Sequence, residues 1–197
     1  MTIVEAIRQI IRARPEARIL ACAPSNSAAD LLTERLKDLG KSELIRLVAP
    51  SRTKESVSKG ALQFTYANPQ GIFVCPPINE LSKYRVVVST CCNAPVLFGI
   101  AMPRGHFTHI FIDEAGQGTE PEIMMPIKTM AGAETNVILS GDMKQLGPVV
   151  RSAVAAELGL DQSYLDRLTN VPIYKDYEKE GNPFVSSFFL IAQQGFY

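Results

Sequence analysis

Apolar positions recur along this chain in two rhythms. In the opening "MTIVEAIRQIIRARPEA", Val4, Ile7, Ile10 and Ile11 fall at helical spacing, which predicts an amphipathic helix ending near Pro15. "RILACA" then predicts a short buried strand. In "PSNSAADLLTERLKDLG", Ser25 or Asn26 can cap a helix whose apolar face is Ala28, Leu31, Leu32, Leu36 and Leu39, and Gly40 closes it. "ELIRLVA" predicts the next strand, and "RVVVST", "THIFID" and "NVILSGD" three more by their β-branched content. Between the last two, "TEPE" has the T-x-x-E form of a capping box and predicts a helix from about Glu120 to Met130. "SAVAAELGL" and "SYLDRL" predict short helices further on. From 49 to 84 the rhythm gives way to polar sequence with Pro, Gly and scattered Lys and Arg, read as an insertion of loops and short helices. Strands alternating with helices, and nearly continuous in Val, Ile and Ala, imply an α/β fold: a parallel sheet covered by helices on both faces.

Composition narrows the class without choosing a function. The 197 residues are 46% hydrophobic and carry 20 basic against 20 acidic side chains, a soluble globular balance with enough chain for one full core. That balance argues against a polycation, yet leaves room for a local basic groove. Cys22, Cys75, Cys91 and Cys92 lack the C-x-x-C spacing of a zinc or redox site, and no secretory leader precedes them, so they read as small hydrophobes of a reduced protein. His106 and His109 have no acidic or thiol cluster in ligand spacing beside them. The longest apolar run, "FVSSFFLIA", falls short of the ~20 residues that span a bilayer.

Three strand ends carry the candidate chemistry: "ACAPSNSAAD", "FIDEAGQ" and "ILSGDMKQLGPVV". Each runs from apolar residues into small, polar or acidic ones, as strands converging on one polar crevice should. An acid closing an apolar strand is the Walker B arrangement, which makes Asp113 a candidate to hold Mg²⁺ on nucleotide phosphates. Glu114, the next residue, could polarise an attacking water. Gln145 is long enough to hydrogen-bond a terminal phosphate and that water; alone it could equally be a surface glutamine. Asp142 is either part of this site or a turn residue after Gly141.

"APSNSAAD", "DEAGQGTEPE" and "SGDMKQLGPVV" together resemble motifs Ia, II and III of the superfamily 1 RNA helicases of the up-frameshift type. The DEAG of Asp113 to Gly116 is similar to that of the Armitage, SDE and Moloney-leukaemia-virus-ten branch. The resemblance covers roughly Met1 to Leu168 and implies a RecA-like first helicase domain, with 169–197 a divergent tail. It implies ATP and Mg²⁺ as cofactors, Asp113 and Glu114 as magnesium-binding and water-activating residues, and Gln145 as the sensor coupling the γ-phosphate to RNA. Asp142 would line the nucleotide site. Pro24, Ser25, Asn26 and Ser27, with Thr90 and Asn93 at the "STCCNA" strand end, would lie along single-stranded RNA without reading its bases. Ser25, Asn26 and Thr90 also have plain structural uses, as helix caps and strand residues. RNA-silencing proteins as partners, a cytoplasmic location that includes ribonucleoprotein granules, and no membrane complete what the resemblance implies.

The sequence departs from the family in one respect: it holds no G-x-x-x-x-G-K-[ST] phosphate loop. The "GKS" at Gly40 to Ser42 follows a helix, with Arg35 where the earlier glycine belongs. The expectation is therefore a motor domain incomplete at its N-terminus and also without the second lobe's arginine, an ATP-dependent RNA helicase fragment that is inactive alone. The alternative is a truncated form retaining only an RNA- or protein-binding surface. An unrelated nuclease would need further carboxylates near Asp113, for which Glu120 and Glu122 are candidates, although both also suit a helix N-terminus.

Overall fold

The computed structural model describes residues 2–142 and 145–175. Helix α1 is Thr2–Ala13, strand β1 Ile19–Ala23, helix α2 Asn26–Arg35, and strand β2 Leu44–Arg46. Short helices α3 (Lys59–Leu62) and α4 (Ile78–Leu81) precede β3 (Val86–Thr90) and the single turn α5 (Val96–Gly99). Strand β4 is His109–Ile112, helix α6 Glu120–Met130, and strand β5 Asn136–Leu139. Three short helices follow: α7 (Ala153–Glu157), α8 (Tyr164–Thr169) and α9 (Pro172–Lys175). The apolar run at 184–192 lies outside the described residues.

Among the described residues the strands form one all-parallel sheet in the order β2-β3-β1-β4-β5. Alternation along β1 divides the core in two. Ile19, Ala21 and Ala23 face α1 and α2, where Ile7, Ile11, Leu32 and Leu36 close the layer. Leu20 and Cys22 face the other side, packed with Leu81, Leu97, Ile123 and Met130 from α4, α5 and α6. Two covered faces explain why β1 and β3 are apolar at nearly every position, and together with the parallel order they make this the covered parallel α/β sheet that the RecA-like expectation requires. Cys22 and Cys91 sit fully buried in the second layer, in the small hydrophobic role read for them.

Two expectations need correction. Leu31, expected on the buried face of α2, is 46% exposed, while Asp30 and Thr33 are buried. The helix is turned on its axis because Asp30 accepts hydrogen bonds from Arg46 and Arg52, which a count of apolar positions cannot register. Strand β5 is not covered as β1 and β3 are: Asn136 and Val137 are exposed, and among the described residues its only partner strand is β4. The 49–84 segment forms the turn Lys54–Ser56, α3, α4 and, with Val48 at its border, a small core of Val57, Ala61 and Phe73.

Candidate functional site

All parallel strands deliver their C-terminal ends to one edge, so the three polar strand ends arrive together there. The backbone fixes their spacing. The amide of Asp113 donates to the carbonyl of Cys22 at 2.8 Å, and the amide of Cys91 to the carbonyl of Ala23 at 2.9 Å. On the other flank, Ala115 N–H donates to the Ser140 carbonyl at 2.8 Å. Glycines make the closest approaches possible. A Cβ at Gly141 would lie 2.8 Å from the Gly116 nitrogen, and one at Gly118 would lie 3.1 Å from Cγ of Pro24. The loop after β4 is therefore wedged between the loops after β1 and β5, with no room for side chains at those contacts.

Asp113 and Glu114 are half-buried at the tip of β4. Asp113 Oδ1 accepts from Ser140 Oγ at 3.0 Å and from the Glu114 amide at 3.2 Å. Glu114 adopts left-handed backbone angles, φ 55 and ψ 35. For a non-glycine residue that conformation costs roughly 1–2 kcal/mol, held here by the hydrogen bonds on either side. Its Oε2 accepts from Gln117 Nε2 at 3.0 Å. Burial first, and then the neighbouring Asp113 carboxylate, raises the Glu114 pKa above the ordinary glutamate range. A carboxyl so placed is a better proton acceptor than an exposed one.

Gln145 Nε2 donates to Asp142 Oδ2 at 3.2 Å, joining the two polar residues of the third strand end. The carbonyl of Asp142 lies 3.1 Å from where a Gly116 Cβ would stand. Asp113, Glu114, Asp142 and Gln145 thus occupy one cluster at the ends of β4 and β5. No group of three or more His, Cys, Asp or Glu suited to a metal occurs among the described residues. One carboxylate steadied by a serine hydroxyl nonetheless fits Mg²⁺, which keeps most of its waters and takes remaining ligands from nucleotide phosphates. Glu120 and Glu122 do not supply further ligands. Glu120 pairs with Arg167, Nε to Oε2 2.6 Å, and Glu122 Oε2 accepts from the Thr119 amide at 2.9 Å in the capping box of α6.

The proposed RNA-facing residues divide. Ser25, Asn26 and Ser27 are exposed, although Ser25 Oγ also caps α2 by accepting from the Ala28 amide at 3.1 Å. Pro24 is half-buried against Gly118. Thr90 is buried, its Oγ1 accepting from the Asn93 amide at 3.3 Å, and Asn93 Nδ2 donates to the Leu47 carbonyl at 3.3 Å. Both shape the turn after β3. Ser140, Gln117 and the Asp30, Arg46 and Arg52 cluster are site residues that the sequence pattern does not single out. Ser140 stood within the quoted "SGD", and a hydroxyl one strand over from an acid was the available signal. Nothing local marks Asp30.

Comparison with known proteins places the chain. A family model described as an AAA domain matches residues 1–70 and 78–153. The RNA helicase Mov10l1 of Homo sapiens is 39% identical over 178 residues, which is 89% of this chain and 14% of that protein. Putative helicase mov-10-B.1 of Danio rerio is 43% identical over 85% of this chain and 17% of its own length. The probable RNA helicase armi of Drosophila melanogaster is 34% identical over 91% of this chain and 17% of its own. The chain spans less than a fifth of these relatives. With a DEAG sequence closing a central parallel strand and these matches along most of its length, the chain belongs to the AAA domain family and, within it, to the up-frameshift-type superfamily 1 helicases of the Armitage and MOV-10 branch.

Proposed function

We propose that this chain carries the water-activating and sensing side of an ATP-dependent RNA helicase site. The observation that carries the reading is the wedge of the Asp113–Gly118 loop between the loops bearing Pro24 and Asp142, which makes one rigid edge of three motifs. Asp113 and Ser140 would hold Mg²⁺, which supplies charge neutralisation on the phosphates when bound. Glu114, buried enough to hold a proton more tightly than usual, orients and deprotonates water. Gln145, tied to Asp142, answers to the terminal phosphate. Ser25, Asn26 and Ser27 offer hydroxyl and amide groups to an RNA backbone, which suits binding without base readout. A role in RNA silencing or RNA turnover, with silencing proteins as partners in the cytoplasm, is part of the same proposal. No described helix is long and apolar enough to cross a membrane.

A second reading, a non-catalytic RNA- or protein-binding module, is favoured by the exposed Ser25, Asn26 and Ser27, which offer polar groups to a ligand without any nucleotide chemistry. Magnesium-dependent ATP binding to the purified chain, compared with Asp113→Ala, separates the two. Binding that disappears in the variant supports the nucleotide site. A folded chain that binds RNA without binding ATP would leave the module.

A further inference from the structure

A buried polar cluster lies directly beneath the exposed start of α2. Arg46, whose side chain is fully buried, donates from Nε to Asp30 Oδ1 at 3.0 Å. Arg52 grips the same carboxylate with both nitrogens, Nη1 to Oδ1 at 3.2 Å and Nη2 to Oδ2 at 3.0 Å. The two guanidiniums also share a second acceptor: Asn26 Oδ1 takes Arg46 Nη2 at 3.1 Å and Arg52 Nη1 at 3.2 Å. Arg52 reaches in the other direction to Ser56, through Nε to Oγ at 3.2 Å and through Nη2 to the carbonyl. Arg46 Nη1 donates to the Leu47 carbonyl, the same oxygen that receives Asn93 Nδ2.

This arrangement does more than neutralise charge. An asparagine amide can face either way, and its orientation is set by its partners. Two cationic donors converging on one side fix the oxygen there, so the Nδ2 hydrogens of Asn26 are turned away from the cluster. Asn26 is exposed, and those hydrogens are donors of the kind a phosphate accepts. Arg52 itself is mostly buried and committed to Asp30, Asn26 and Ser56, so its charge is not offered to a ligand. Through the Leu47 carbonyl the same cluster also holds the turn containing Asn93. The two segments read as lying along RNA are therefore joined from below.

We propose that Arg52, acting through Asp30 and Asn26 together with Arg46, is a positioning residue for RNA binding: it clamps the 49–58 loop to α2 and aims the Asn26 amide donors outward. The inference rests on the RNA-binding reading and assigns that surface its supporting residues. Arg52→Lys is not a conservative replacement at this site, because one ammonium cannot span Asp30, Asn26 and Ser56 as the planar fork does.

The test is RNA affinity of the full chain, read by fluorescence anisotropy on a labelled uridine oligonucleotide across a salt series, for the parent, Arg52→Met and Asn26→Asp. Amide hydrogen exchange over 49–58 is followed in parallel. Arg52→Met is expected to bind about tenfold more weakly, the loss of one charge-assisted hydrogen bond's worth of ordering, with the salt slope unchanged and exchange accelerated. Asn26→Asp keeps an acceptor for both guanidiniums, so it should melt no lower than the parent yet bind RNA at least as poorly as Arg52→Met. Parent-like affinity in either variant overturns the proposal. So does a salt slope reduced by about 0.7 in Arg52→Met, because that is the mark of a lost phosphate contact on a single strand. If Arg52→Met does not fold, Asn26→Asp decides alone. No binding by the folded parent would overturn the RNA reading and the RNA part of this inference with it, while the exchange comparison would still accept or reject the clamp.

Discussion

Glu114 concentrates the tension in the site. It is a carboxylate held half-buried beside Asp113, both of which oppose its charged form, in a left-handed backbone conformation that is costly whatever the charge. Its folded pKa lies above the unfolded value, so the folded chain binds the proton more tightly than the unfolded one. The charged form therefore detracts from stability above the folded pKa, and that deficit is relieved as pH falls through it. Glu114→Gln removes the charge and keeps an oxygen for Gln117. The variant is expected to melt higher than the parent at pH 7, with the difference shrinking as pH falls through the folded pKa and gone below about pH 4, where glutamate is neutral in both states. Thermal unfolding followed across that range checks the sign. A Glu114→Gln variant that melts lower at pH 7 would mean that the charge is stabilised by a partner. Stability gained by disabling a site residue is the usual signature of a group retained for chemistry.

Among the elements, helix α6 shows what sequence discloses well. Its start at Glu120 follows from the capping box, a local pattern whose partners are three residues apart. Thr119→Ala should cost about 1 kcal/mol, seen as a lowered denaturation midpoint with unchanged slope, because the start of α6 loses the hydroxyl that donates to Glu122. A change under a few tenths would mean that Glu122 and the backbone amide suffice. The strands were equally legible, since continuous β-branched runs have few other uses. Helix α2 was legible in extent but not in rotation. Asp30 is buried because its cationic partners lie 16 and 22 residues away, and no window of hydrophobic periodicity contains them. Similarly, Asp113, Glu114, Asp142 and Gln145 could be picked out one by one, whereas the contact of Gly116 with Gly141 that brings them together is a property of packing. The turn α5, only Val96–Gly99, is too short to show a period and was not anticipated.

At the scale of the whole molecule, the sheet is asymmetric. One border, β2, is bound to the 49–84 segment: Arg46 N–H donates to the Phe64 carbonyl at 2.8 Å. Among the described residues the other border is β5, with Val137 39% exposed. An exposed, apolar border strand is a template for pairing with another chain. The isolated chain is expected to self-associate as its concentration rises, and Val137→Lys should reduce that association, both measured by sedimentation velocity. Monomer at every concentration would show that the border is protected. The strand order has a further consequence, for the time course of folding. Central β1 pairs with β3 and β4, so Ile19 finds its neighbours only in Val86 and His109. Among the described strands no hairpin can start the sheet, and the strand at its centre is seated only when distant segments arrive. Folding must close long loops before any strand pairing rewards it, which makes this a slow-folding topology that exposes its most apolar strand while it waits.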